Sequence, residues 1–179
     1  SREYYLRNFY TKSARSVAKA RSEGPAAYVF PATDARPGQQ ARLLQLLQQH
    51  GIELHRLGGE TVAGADTFPA GSYVARLDQP FSRITDMLLD RQYYNPDDPA
   101  PYDDVGWTLG PLFNTRTVRV EDTSILDAPM SRVTESVRAP GGVVAASGAQ
   151  FYVVDYNADA RLTSFRFAHR NLRMDAARE

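Results

Sequence analysis

At 179 residues the chain is long enough for one domain with a real core, and its 42% hydrophobic and 23% charged content is that of an ordinary globular protein, which excludes disordered and fibrous classes. Lys and Arg number 21 and Asp and Glu 21, so net charge supplies no argument for nucleic acid or an anionic membrane. The lack of cysteine excludes disulfides, thiolate metal sites and cysteine nucleophiles.

No apolar run approaches the roughly 18 residues needed to span a bilayer, and no signal peptide opens the chain. A start inside a helical pattern is expected of a piece of a larger protein. Charge is uneven along the sequence. Residues 1–25 carry Arg2, Arg7, Lys12, Arg15, Lys19 and Arg21 against Glu3 and Glu23, whereas residues 86–104 carry six Asp against Arg91 alone. Two solvated faces are the expected reading, with an interaction patch as the alternative.

Residues 1–21 place Leu6, Phe9 or Tyr10, Ser13 or Ala14, and Val17 on one side, with bases largely on the other. The spacing predicts an amphipathic helix ending near Gly24 and Pro25. It packs on its own domain or on a preceding one, the alternatives being a membrane surface or a peptide-binding groove. We therefore expect an initial helix or linker over 1–23 and an α/β domain over 24–179, whole or truncated at its C-terminal end.

Residues 26–57 are the organising stretch. A short apolar run over 26–30 is stopped by Pro31, and Leu43, Leu44, Leu46 and Leu47 then recur at helical spacing. Gly51 closes the helix, and residues 52–57 alternate apolar and polar. Strand, helix and strand in this order predict a parallel βαβ unit. The loop at 31–37 occupies the customary site position beyond a strand's carboxyl end, but with only Gly38 it lacks a phosphate cradle. Thr33 and Asp34 read as turn and cap residues, with a ligand contact as the alternative.

His50 and Glu53 have the HxxE spacing that gives two zinc ligands in zinc carboxypeptidases. Here His50 falls in the last helical turn and Glu53 and His55 on the polar face of a strand, so no zinc site is expected. Residues 58–69 read as a connection and 70–77 as a strand, next to the second strand or at an edge. Asp78 can cap a helix over 81–92, with Phe81, Ile84, Met87 and Leu88 inward. The loop at 97–109 combines four Asp with aromatic residues and prolines. Its spacing is not that of a calcium loop, and Tyr102 and Trp107 serve as anchors or as stacking platforms. Residues 117–121 alternate as a strand, 122–142 read as linker, 143–146 as a weak pairing segment, and 151–155 as a clear apolar strand. A final helix capped by Asn157 or Asp159 runs to Arg178.

The phrases at 77–94 and 101–109 resemble the region downstream of the catalytic domain in large bacterial zinc carboxypeptidase-like proteins. The resemblance extends from about Gly24 to Val120, and more faintly over 151–171. It implies a class I glutamine amidotransferase-like fold. Together with the βαβ reading, this predicts a mostly parallel open sheet with flanking helices, flavodoxin-like or amidotransferase-like, in a fragment of a larger protein. The parent would hydrolyse C-terminal peptide bonds with zinc in its own catalytic domain, in the periplasm or secreted. No catalytic residue and no cofactor maps onto this chain, and a glutaminase would need the cysteine that is missing.

Three readings follow. The first is a non-catalytic accessory domain that packs on the parent's catalytic domain or self-associates as a homo-oligomer, with no nucleic-acid partner and no membrane span. The second is a small-ligand or peptide binding module using Asp34, Gln79, Tyr102, Asp103 and Trp107. The third is an independent hydrolase using Glu53, His55 and Asp103 or Asp104.

Overall fold

The computed structural model describes residues 1–91, 96, 97, 99, 107–142, 144, 147–154, 156 and 160–176. They fall into two compact units, 1–139 and 140–179.

The first unit opens with helix α1 (Arg2–Ser22), followed by strand β1 (Ala27–Phe30), helix α2 (Pro37–Gln49) and strand β2 (Leu54–Leu57). A hairpin of β3 (Thr61–Ala63) and β4 (Asp66–Phe68) leads to β5 (Tyr73–Arg76) and helix α3 (Ser82–Leu89). After the short helix α4 (Leu109–Leu112) come β6 (Val118–Val120), a 3₁₀ turn (Thr123–Asp127) and β7 (Met130–Arg132).

The sheet order is β6-β1-β5-β2-β7, and every neighbouring pair is antiparallel. This overturns the expected mostly parallel, flavodoxin-like or amidotransferase-like sheet. The two strands joined by α2 do run in the same direction, since each is antiparallel to β5. They are not neighbours, however. The chain turns back through the β3–β4 hairpin and inserts β5 between them, so the βαβ unit is split. Strand β5 is thus the central strand, next to β2 as expected but not at an edge.

Alternation along the strands fixes two faces. Register puts Val29, Val74, His55, Arg76 and Arg132 on one and Tyr28, Phe30, Ala75 and Leu54 on the other. All four residues of β1 are buried, which is why it reads as an unbroken apolar run rather than an alternation. The Tyr28 face meets α3, whose Asp86 accepts a 2.8 Å hydrogen bond from the Tyr28 hydroxyl. Helix α1 lies against α3, with the Ser82 hydroxyl donating to the Ser16 carbonyl at 2.9 Å. The 3₁₀ turn covers the Arg76 face, where Ile125 and Leu126 are buried.

Helix α2 buries Leu43, Leu44 and Leu47, each worth about 1.5–3 kcal/mol of apolar burial. Its end has the bonding of a Schellman motif: Ile52 N–H donates to Leu47 O and Gly51 N–H to Gln48 O, with Gly51 at φ +76°. Helix α3 departs from expectation. Asp78 does not cap it, because its carboxylate is held by Arg76, and Phe81 and Met87 are half exposed while Ser82, Thr85 and Leu89 face inward.

The expected linker over 122–142 contains the 3₁₀ turn, β7 and a strap over α2. In the strap, the side-chain amides of Gln45 and Gln48 donate to Val137 O and Glu135 O at 2.6 and 2.9 Å. In the second unit, helix α5 (Ala160–Ala168) forms, but residues 151–154 join no ladder, and Phe151, Tyr152, Val153 and Val154 are exposed. The expected strand there is therefore absent among the described residues, because an apolar run without a neighbouring strand has no ladder to pair its backbone groups. Its last residue, Asp155, the caps Asn157 and Asp159, and most of 143–146 lie outside the described residues.

Candidate functional site

Polar chemistry gathers on the Arg76 face of the sheet. The Arg76 guanidinium donates to both Asp78 carboxylate oxygens, at 2.9 and 2.6 Å, and to the Leu126 carbonyl at 2.9 Å. Such a forked, charge-assisted pair is the strong form of an ion pair. Arg76 holds the Asp78 carboxyl below its ordinary range, against the opposing effect of burial, and Asp78 in turn raises Arg76.

His55 lies on the same face, directly opposite Arg132 on β7. Its Nδ1 is buried and has no hydrogen-bond partner. Burial, followed by the Arg76 charge, pushes the imidazole below its ordinary value, while Glu53 and Asp78 pull the other way. Glu53 is engaged by Arg132 at 3.0 Å. The backbone of Glu53 is clasped by Gln79, whose carboxamide oxygen accepts from Glu53 N–H at 2.7 Å and whose amide donates to Glu53 O at 3.1 Å. On the opposite face, burial and the Asp86 hydrogen bond raise the Tyr28 hydroxyl.

The residues expected at a binding site are not gathered in one place. Asp34 follows the last residue of β1. One of its oxygens accepts from Arg36 N–H and the other from Arg116 N–H, both at 2.7 Å, so its carboxylate fastens the loop to the chain before β6. Gln79 sits beyond the opposite end of the sheet, since β5 runs antiparallel to β1 and Arg76 pairs with Ala27. Trp107 is half buried just before α4. Tyr102, Asp103 and Asp104 lie outside the described residues.

The zinc-like spacing is also dispersed. His50 Nδ1 is 2.9 Å from the Leu46 carbonyl at the end of α2, and Glu53 is paired with Arg132. Among the described residues no three His, Asp or Glu side chains converge as a metal site, and these residues do not fit zinc.

Arg76, Asp78 and Arg132 as neighbours of His55 are not legible in the sequence. Alternation in β5 is a signal that puts Arg76 on the face of Val74, but it does not say what lies opposite. Only the strand register, which brings three distant segments together, reveals the cluster.

Two surface features complete the inventory. A groove of about 210 Å³ lies between the β3–β4 turn and residues 119–122, where Asp122 accepts the N–H groups of Gly64 and Ser124. Helix α1 carries one stripe of Tyr5, Leu6, Phe9, Tyr10, Ser13, Ser16, Val17 and Ala20. Ser16 and Ala20 are buried, whereas Tyr5, Leu6, Phe9 and Tyr10 are 60–74% exposed. No described helix is long and apolar enough to cross a membrane. Comparison with family models, curated proteins and solved structures finds no match to this chain.

Proposed function

We propose that this chain is a non-catalytic accessory module of a periplasmic or secreted zinc metallocarboxypeptidase-like protein, and that it docks on the parent's catalytic domain through α1. The parent's identity rests on the resemblance carried by residues 24–120. The observation that carries the docking role is the α1 stripe, a single helical face that is packed in its C-terminal half and bare in its N-terminal half. Four large apolar side chains left in water at helical spacing are the usual composition of a helix awaiting a partner, and Tyr and Arg are the residues that dominate such contacts. Arg7 pairs with Glu3 one turn away, and both side chains remain exposed. The internal engagement of Asp34, Gln79 and Glu53 agrees with a structural use of these polar groups.

The test combines the full-length gene with the isolated proteins. The gene is expected to encode an upstream domain with a complete carboxypeptidase zinc site. That domain, expressed separately, should bind this chain, and Phe9→Asp with Tyr10→Asp should abolish the binding while leaving the far-UV spectrum unchanged. Stoichiometric zinc held by this chain through His50, Glu53 or His55 would overturn the reading, as would a gene without such a domain.

A further inference from the structure

We propose that His55 is a pH-sensitive latch that holds strand β7 on the sheet at neutral pH and releases it in acid.

Strand β7 is an edge strand of three residues that, among the described residues, pairs with β2 alone, where His55 faces Arg132, Arg56 faces Ser131 and Leu57 faces Met130. The charged groups around the imidazole are Glu53 on its own segment, Arg76 on β5, Asp78 just after β5, and Arg132 on β7. Both carboxylates already have cationic partners, Glu53 with Arg132 and Asp78 with Arg76.

A neutral imidazole adds no charge to this balanced set. Its buried, unpartnered Nδ1 then needs only to forgo a hydrogen bond. A protonated imidazole places a third cation beside Arg76 and Arg132, and its Nδ1–H has no acceptor. If Glu53 swings to satisfy it, Arg132 loses its carboxylate. Either arrangement weakens the tie between Arg132 and β2. Strands β1 and β5 are paired on both sides, so the segment that gives way is the edge strand, with the adjoining Val133 N–H to Leu54 O bond.

The sign follows from linkage. The imidazole of the closed form holds its proton less well than that of the open form, so opening is favoured as pH falls below the ordinary histidine value, and above that value the proton no longer contributes to it. One proton allows at most about a tenfold change in the opening equilibrium per pH unit.

Amide hydrogen exchange of the full chain, corrected for the intrinsic pH dependence, tests this between about pH 7.5 and pH 5. The amides of Ser131 and Val133, which face β2, should lose protection steadily below about pH 6.5, while β1 and β5 keep theirs, and His55→Gln should remove the pH dependence. Equal protection of these two amides at both ends of the range overturns the proposal. So does acid loosening that persists in His55→Gln, which would assign it to the carboxylates, or a loss shared by the whole sheet. Proton NMR titration of the wild-type imidazoles needs no variant: His55 is expected to titrate below the ordinary histidine value, and a midpoint at or above it refutes the latch.

Discussion

The Arg76–Asp78 pair shows how much one side chain depends on register. Its side chains are 22% and 17% exposed, whereas those of Arg7 and Glu3 on α1 are 77% and 79% exposed. Removing one partner from the sheltered pair leaves a charge without its counterion, and that loss exceeds anything an exposed pair can contribute. Asp78→Asn is therefore expected to lower stability by roughly 1–3 kcal/mol at neutral pH, measured by urea denaturation, while Glu3→Gln leaves the midpoint unmoved. The Asp78 carboxyl is held below its ordinary 3.8. Its contribution is thus complete above about pH 4 and is lost as pH falls through the lowered value, so the acid limb of the stability profile should flatten in Asp78→Asn. At this scale the sequence was partly legible. The stop at Gly51 and the turn bond of Asp34 to Arg36 depend on residues a few positions away, and local spacing predicts them, whereas the bond of Asp34 to Arg116 spans 82 positions. Arg76, His55 and Arg132 come from three strands, and no local pattern brings them together.

Among the elements, α2 was the most legible, because its leucine spacing, its Pro37 start and its Gly51 stop all agree with one another. Gly51 is more than a stop signal. At φ +76° any other residue strains the backbone, and a Cβ there would sit 3.4 Å from the Phe81 ring. Gly51→Ala should cost about 1–2 kcal/mol and lower the calorimetric midpoint by several degrees. An unchanged midpoint would mean that the Schellman bonds do not hold this helix end in solution. Strand elements were harder to read. Strands β1 and β2 were visible as a pair, but hydrophobic pattern alone does not say whether a third strand lies between two parallel ones. The insertion of β5 depends on the β3–β4 turn at Gly64, whose strands have only three residues each and read as connection. The run at 151–154 gave the opposite error, since strand propensity is realised only where a neighbouring strand exists.

At the scale of the whole molecule, the buried apolar residues run from Ala20 to Val137, so the core lies entirely within the first unit. Among the described residues of 140–179 none is buried. Helix α5 has nine residues, fewer than the roughly 12–15 an isolated helix needs to hold in water. Stability should therefore reside in residues 1–139, whose strap to Val137 is fastened to Gln45 and Gln48 of α2. A chain ending at Ala139 is expected to unfold cooperatively with a free energy within about 0.5 kcal/mol of the full chain, and to keep its amide NMR fingerprint. A cut before Val133 removes the Val137 side chain and the amide bonds of the strap together, and should cost about 2–4 kcal/mol. The contrast between the two cuts decides where the cooperative unit ends. If truncation at Ala139 costs as much as truncation before Val133, residues 140–179 belong to the same folding unit and the core boundary at Val137 is wrong.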